Sequence, residues 1–395
     1  MAELIGAVAT SHAPPIFLEP EYWTEHSDLM DRDNPELISP RTGRVTSYAN
    51  LVAEVAADDP ALLDHLSDPV FRENYNRMVA ATERVRSTIR ELAPDVVLVI
   101  SDDQEEILFD DNMPVFSVYW GSSWTLLPWR SPRPGANPVF DAFRKGWGDR
   151  ELEVPVDAAA GEHVIASLAG DDFDVAHFRY LRAEYGGTVG PAGYLADART
   201  RRPVGRGIPH GFAYVVKTLL ENEPIPMVPV FINTCYPPNR PTTRRCYDFG
   251  VALRKAIETM PGGKRVLIIA SGGLSHFVLD EELDRLLIKG LESDDRAVLE
   301  NLPRLDSPTG EIRNWVAAAG ACSGMRFELF DYVPTPRSAA GTGGGWCFAR
   351  WHSARGTTAA DGTEPRLVSL PVAVTGGELT VPRPRCAAPG AAAGR

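Results

Sequence analysis

Four short apolar runs set the frame of this chain, at residues 4–8, 96–100, 228–232 and 266–270. Each is continuous in Val, Ile, Leu or Ala rather than alternating, as in a strand buried on both faces, and each ends in a polar or Gly-rich turn. Between the runs apolar positions recur at helical spacing. Residues 70–92 carry Tyr75, Val79, Val85, Ile89 and Leu92 on one stripe, and 248–260 and 280–299 repeat the pattern. Strands alternating with helices predict an α/β protein with a mixed central sheet flanked by helices on both faces. In such sheets ligands gather at strand exits, so the active site is expected there.

From residue 335 the texture shifts to Gly, Ala, Ser and Thr. The pattern therefore predicts a unit over 1–334 and a Gly/Ala-rich C-terminal extension over 335–395. A hairpin through Gly376 and Gly377 and a disordered last dozen residues are expected within it.

Composition narrows the class. A length of 395 residues at 44% hydrophobic content allows a substantial core, and a net charge of -13 lacks the clustered cations that nucleic acid demands. No apolar run approaches the roughly 20 residues of a membrane span, and the start "MAELIG" is acidic where a signal peptide is basic, so a cytoplasmic protein is expected. Five scattered cysteines without a C-x-x-C pair argue against a disulfide framework and a structural zinc site.

The strand exits carry the candidate chemistry. "AVATSHAPP" puts His12 after the first run, "VISDDQEE" puts Gln104, Glu105 and Glu106 after the second, and "FINTCYPPNRPTTRRC" supplies Tyr236, Arg240, Arg244 and Arg245 after the third. "ASGGLSHF" puts His276 after the fourth, behind paired glycines that let the backbone turn sharply. His210 lies between Pro and Gly in "GIPHGF", whereas His26, His65, His163, His177 and His352 read as ordinary surface or core histidines. A non-haem iron site uses two imidazoles and a carboxylate on one face, which makes His12 and Glu105 or Glu106 candidates. Glu311 falls in the first turn of a helix that Ser307 and Pro308 open, and Ile312, Trp315, Val316 and Ala319 form its buried stripe. On composition alone Glu311 simply favours the helix N-terminus.

Taken in order, "GAVATSHAPP", "PDVVLVISDDQEEILFDDNMPVFSVY", "IPHGFAYVV", "VPVFINTCYPPNRPTTRRCYDFGVALRKAI", "ASGGLSHF" and "GEIRNWVAAAGA" resemble the class III extradiol ring-cleavage dioxygenases. This is the family of the catalytic beta subunit of protocatechuate 4,5-dioxygenase, and the likeness is to the branch with 3-O-methylgallate dioxygenase, over residues from about 5 to 335. The resemblance implies Fe(II), with Mn or Zn as alternatives, and an aromatic substrate cleaved by O2 at an ortho-dihydroxy or ortho-aminohydroxy pair. It implies His12 and Glu311 as metal ligands, His276 as the acid/base and His210 as a second catalytic histidine. The family's second iron histidine falls where this chain reads Asp102-Asp103-Gln104-Glu105-Glu106, which makes Glu105 the expected third ligand and Gln104 a substrate contact. Tyr236 and Arg240 are expected to bind substrate, with Tyr119, Trp120 and Phe277 as pocket walls. A homo-oligomer, a dimer, is expected, and neither nucleic acid nor membrane as partner. The alternatives are a metal-dependent hydrolase or lyase in the same pocket, or a non-catalytic homologue that has lost iron.

Overall fold

The computed structural model describes residues 1–109, 112–128, 137–181, 207–303 and 305–353. The expected hairpin at Gly376 and Gly377 and the chain end lie outside these residues. The strands are β1 (Glu3–Thr10), β2 (Val96–Ser101), β3 (Phe116–Tyr119), β4 (Ser123–Leu126), β5 (Leu152–Pro155) and β6 (Ala176–Phe178). They continue with β7 (Met227–Ile232), β8 (Arg265–Ser271), β9 (His276–Val278), β10 (Arg326–Pro336) and β11 (Thr342–His352).

The four apolar runs are β1, β2, β7 and β8, and they form the parallel centre of one sheet in the order β1-β8-β2-β7. Val8 lies opposite Ile269, and Ile100 sits between Ala270 and Val230. Both faces of this centre are covered. Leu98 and Ile100 pack towards the helices Thr243–Thr259 and Ile312–Ala321, whereas Val97 and Val99 pack towards Asp68–Leu92. That two-sided burial is why the runs show no alternation. Antiparallel neighbours make the sheet mixed: β3 on β7, carrying β6 at its far edge, and β11 on β1, carrying β10 and β9. β4 and β5 form a separate pair.

Two expectations are corrected. The boundary drawn at 334/335 falls inside β10, and "TGGGW" opens β11, with Ala349 opposite Ala9 of β1. Its glycines answer to close packing rather than to a linker: a Cβ on Gly345 would lie 2.1 Å from Asp284 Oδ2. The helix expected over 280–299 is two, Glu281–Glu292 and Arg296–Glu300. Asp294 turns to φ +48° between them, and the Asp295 side chain accepts the N–H groups of Ala297 and Val298 at 3.0 and 3.2 Å, capping the second helix.

Among the described residues Cys235, Cys246, Cys322 and Cys347 are free thiols, and no helix is long and apolar enough to cross a membrane.

Candidate active site

Because the four central strands run parallel, their C-terminal ends meet at one edge, and the loops leaving them build a single buried cluster. The acidic exit of β2 accounts for most of it. Asp103 accepts the backbone N–H groups of Glu106, Ile107 and Leu108 at 2.9 to 3.3 Å, which folds the exit into a tight loop. Within that loop each neighbour takes a different direction.

Asp102 turns to the β7 exit. Its Oδ2 accepts the Thr234 hydroxyl at 2.8 Å, and its buried Oδ1 makes no hydrogen bond among the described residues. Gln104 reaches across to Glu311, donating from Nε2 to Oε1 at 2.9 Å. Glu105 turns at φ +55° and approaches Tyr236, whose hydroxyl its charge helps push up after burial and Cys235. Glu106 receives the ring Nδ1–H of His210, and its other oxygen takes the His210 backbone N–H at 2.9 Å and the indole N–H of Trp147.

His12, two residues past β1, is 3% exposed and its tautomer is fixed. The Ser271 hydroxyl donates to Gly211 O at 2.9 Å, so at the 2.9 Å contact with His12 it accepts, and Nδ1 carries the proton. The lone pair of Nε2 therefore faces Glu311 Oε2 at 3.8 Å, and this nitrogen makes no hydrogen bond among the described residues. Gly211 must lack a side chain here, since a Cβ would lie 2.8 Å from His12 Cε1.

Glu311 occupies the N-cap of Ile312–Ala321, yet its side chain caps nothing; it accepts from Gln104 and from the Gly273 N–H instead. Two residues on, the buried Arg313 donates to the carbonyls of Pro241, Thr234, Gly310 and Leu305 at 2.8 to 3.3 Å. It thereby ties the β7 exit, which carries Thr234 and Arg240, to the helix start that carries Glu311.

His12, Asp102 and Glu311 offer one ligand atom each within 4.8 Å of one another, all buried. Among the described residues this is the group of donors close enough to share a cation; Glu105, the ligand expected from sequence, is outside it, and Asp102 stands inside. The electrostatics fit a divalent metal. Burial, with the charge of Glu311 behind it, pushes Asp102 up to about 7, and burial raises Glu311. Burial, then His210 and His276, hold His12 well below its ordinary range, which leaves it a neutral donor. Two desolvated carboxylates beside an imidazole lone pair are costly on their own and are relieved by a bound cation.

Two further histidines border the cluster. The His276 Nε2 lies 3.6 Å from Glu311 Oε1, and its Nδ1 donates to Leu274 O at 3.2 Å, so Nε2 bears the lone pair. Burial lowers this ring below the usual imidazole range. The His210 ring stands edge-on to His12 with centroids 4.9 Å apart. Burial pulls it down, but the charge and hydrogen bond of Glu106 outweigh that and leave it at about 9.

A cavity of about 270 Å³ opens beside the cluster, lined among others by Glu36, Gln104, Cys235, Tyr236, Arg240, His276 and Phe277. Of the residues expected to touch substrate, Gln104, Tyr236, Arg240 and Phe277 are therefore together. Tyr119 stacks on Trp124 in the core at 4.9 Å, Trp120 bonds His177, and Arg245 lies over Phe173; none of these lines the cavity. Asp102, Ser271 and Arg313 were not singled out from sequence, and Glu106, a metal candidate there, lies outside the group and bonds His210 and Trp147 instead. The signal available for Asp102 was its position, the first residue past a buried strand.

Comparison with known proteins finds a family and several relatives. The family model described as the catalytic LigB subunit of aromatic ring-opening dioxygenase matches residues 60–343, a stretch that takes in Asp102, His210, His276 and Glu311 and begins after His12. Gallate dioxygenase of Pseudomonas putida is 34% identical over 127 residues, 31% of this chain and 30% of that protein. The 2,3-dihydroxyphenylpropionate/2,3-dihydroxicinnamic acid 1,2-dioxygenase of Cupriavidus necator is 27% identical over 251 residues, 62% of this chain and 64% of that protein. Its namesake in Rhodococcus jostii is 26% identical over 198 residues, 50% and 48%. The chain thus spans less than two thirds of the length of each of these relatives.

Proposed function

This chain belongs to the family of catalytic LigB subunits of aromatic ring-opening dioxygenases, and from that premise we propose that it opens an aromatic ring bearing vicinal hydroxyl, or hydroxyl and amino, groups with O2. The observation that carries the reading is the unpartnered Nε2 of His12 facing Glu311 and Asp102 beside a cavity lined by His276 and Arg240. His12, Asp102 and Glu311 would hold a ferrous ion, whose double charge matches that of the two carboxylates. The ion would supply the one-electron chemistry that lets O2 react with an electron-rich ring.

The protein's own groups do the rest. His276, with its proton committed to Leu274 O, presents a lone pair at the cavity wall and removes a proton from a ring hydroxyl. His210, whose ring stands edge-on to His12, is the complementary acid. Tyr236 and Phe277 wall the ring, and Gln104 holds Glu311 in place. Arg240 is half-buried on the cavity wall and makes no ion pair among the described residues, so it is available to a substrate carboxylate.

The test is anaerobic loading with Fe(II), then oxygen uptake and product spectra over a panel of catechols, gallates and aminophenols. One O2 consumed per ring opened is expected. Turnover that persists without oxygen in a Zn(II)-loaded protein would replace this reading with that of a hydrolase or lyase.

A further inference from the structure

Glu106 closes the acidic exit of β2 and lies outside the metal-type group, yet it is 3% exposed and fully engaged. Its Oε1 takes the ring Nδ1–H of His210, and its Oε2 takes the backbone N–H of the same residue at 2.9 Å, together with the Trp147 indole. A carboxylate gripped on both oxygens has no freedom to swing. Because it binds both the main chain and the ring of one residue, it sets the side-chain torsions of that histidine as well as its position. An ionised carboxylate only accepts, so the Nδ1 of His210 carries a hydrogen and Nε2 is the nitrogen left for other chemistry. His210 Nε2 makes no hydrogen bond among the described residues, and the ring stands against His12 at 4.9 Å. The loop that aims Glu106 is itself pinned, through the three N–H groups that Asp103 accepts.

We infer that Glu106 is a positioning residue for the ring-opening reaction, fixing the orientation of His210 and keeping a proton on its Nδ1, so that Nε2 is the nitrogen that gives up or takes the proton. The inference rests on the ring-opening reading of the site. A purely structural ion pair would require only that the two side chains meet; it would give no reason for the backbone N–H and ring N–H of one histidine to converge on one carboxylate beside a metal-ligand histidine.

The experiment uses metal-free protein with ¹⁵N-labelled histidine rings, as wild type, Glu106→Gln and His210→Gln, the last to assign the ring. Wild type is expected to show a hydrogen-bonded Nδ1–H on His210. Glu106→Gln should lose that signal and place the proton on Nε2, because the His210 backbone N–H and the Trp147 indole claim the amide oxygen and leave the amide N–H donors facing Nδ1. In Fe(II)-loaded enzyme the same variant should lower kcat on the order of 10²-fold, with KM and iron content near wild type. The inference is overturned if wild-type His210 is protonated at Nε2 alone, or if Glu106→Gln leaves signal and kcat unchanged. If Glu106→Gln does not fold, the wild-type spectrum against His210→Gln decides the tautomer. Should wild type open no ring, the functional reading fails separately, and the spectra still decide what Glu106 does to His210.

Discussion

Acid should unfold this protein from a defined place, the buried cluster of His26, Asp31 and Arg337. Asp31 accepts both Nε and Nη2 of Arg337 at 2.9 Å and the Thr342 hydroxyl at 2.7 Å, and His26 lies against this pair with 3% exposure. Burial, with the charge of Arg337 behind it and Asp31 opposing, holds His26 down at about 3 against an ordinary 6.5. Between those values the unfolded chain binds a proton that the folded protein refuses. The stability this contributes is complete above pH 6.5 and is lost as pH falls towards 3. At a pH of about 4.5 the unfolded side chain is two units below its midpoint, so this one group costs about 3 kcal/mol, at roughly 1.4 kcal/mol per unit. Against a total of about 5–15 kcal/mol that is a large share. Asp31, held below its ordinary 3.8, adds to the loss only at still lower pH. The assay is urea unfolding of wild type and His26→Phe at about pH 7 and about pH 4.5. Whatever the substitution does at neutral pH, the acid-induced loss should shrink by about 3 kcal/mol in the variant. An equal acid loss in both proteins would refute the argument and move the acid sensitivity elsewhere, for instance to His12 or His276, which burial also lowers.

The metal group makes a sharper distinction than sequence could. Asp102→Asn should lose bound Fe(II), measured as metal content after desalting, whereas Glu105→Gln should retain it; the reverse would restore Glu105 as the ligand. Arg240→Ala should raise KM on the order of 10- to 100-fold for catechols bearing a carboxylate and leave simple catechols near wild type, as expected for loss of a charge-assisted hydrogen bond. Steady-state oxygen uptake reads both substrates, and an equal loss for the two would assign Arg240 to the loop rather than to the ligand.

The parallel centre of the fold was legible because strands buried on both faces have no choice but to be apolar throughout, and the exits followed from it. What escaped was set by contacts distant in sequence. The segment around Gly343 and Gly345 has the composition of a linker, but its glycines are there because β10, β9 and the Asp284 carboxylate press on β11 from all sides. The break in 280–299 turned on two aspartates that can sit in a helix or cap one, and local pattern does not decide between them. At the site, the histidines stood out because they are rare and follow strands. The carboxylates of "SDDQEE" did not separate, since a one-residue step around a loop with φ +55° at Glu105 redirects every side chain. Pattern located the wall of the site; only the loop geometry distributed the roles along it.

That distribution explains why a buried strand can end in so many carboxylates at all. Each buried charge costs several kcal/mol unless it is met, and along this loop almost every one is met from within the protein. Asp103 has three backbone N–H groups, Glu106 has two from His210 and one from Trp147, and Glu311 has Gln104 and Gly273. The exceptions are one oxygen of Asp102 and one nitrogen of His12, buried and without a hydrogen-bond partner among the described residues. Both belong to the same group within 4.8 Å. A fold that satisfies the surrounding acids and leaves two lone pairs converging has concentrated its electrostatic cost at one point, where a cation would relieve it. The acidic exit is therefore not a solvated loop that happens to lie near a site; its satisfied members are the scaffold that keeps the unsatisfied ones together.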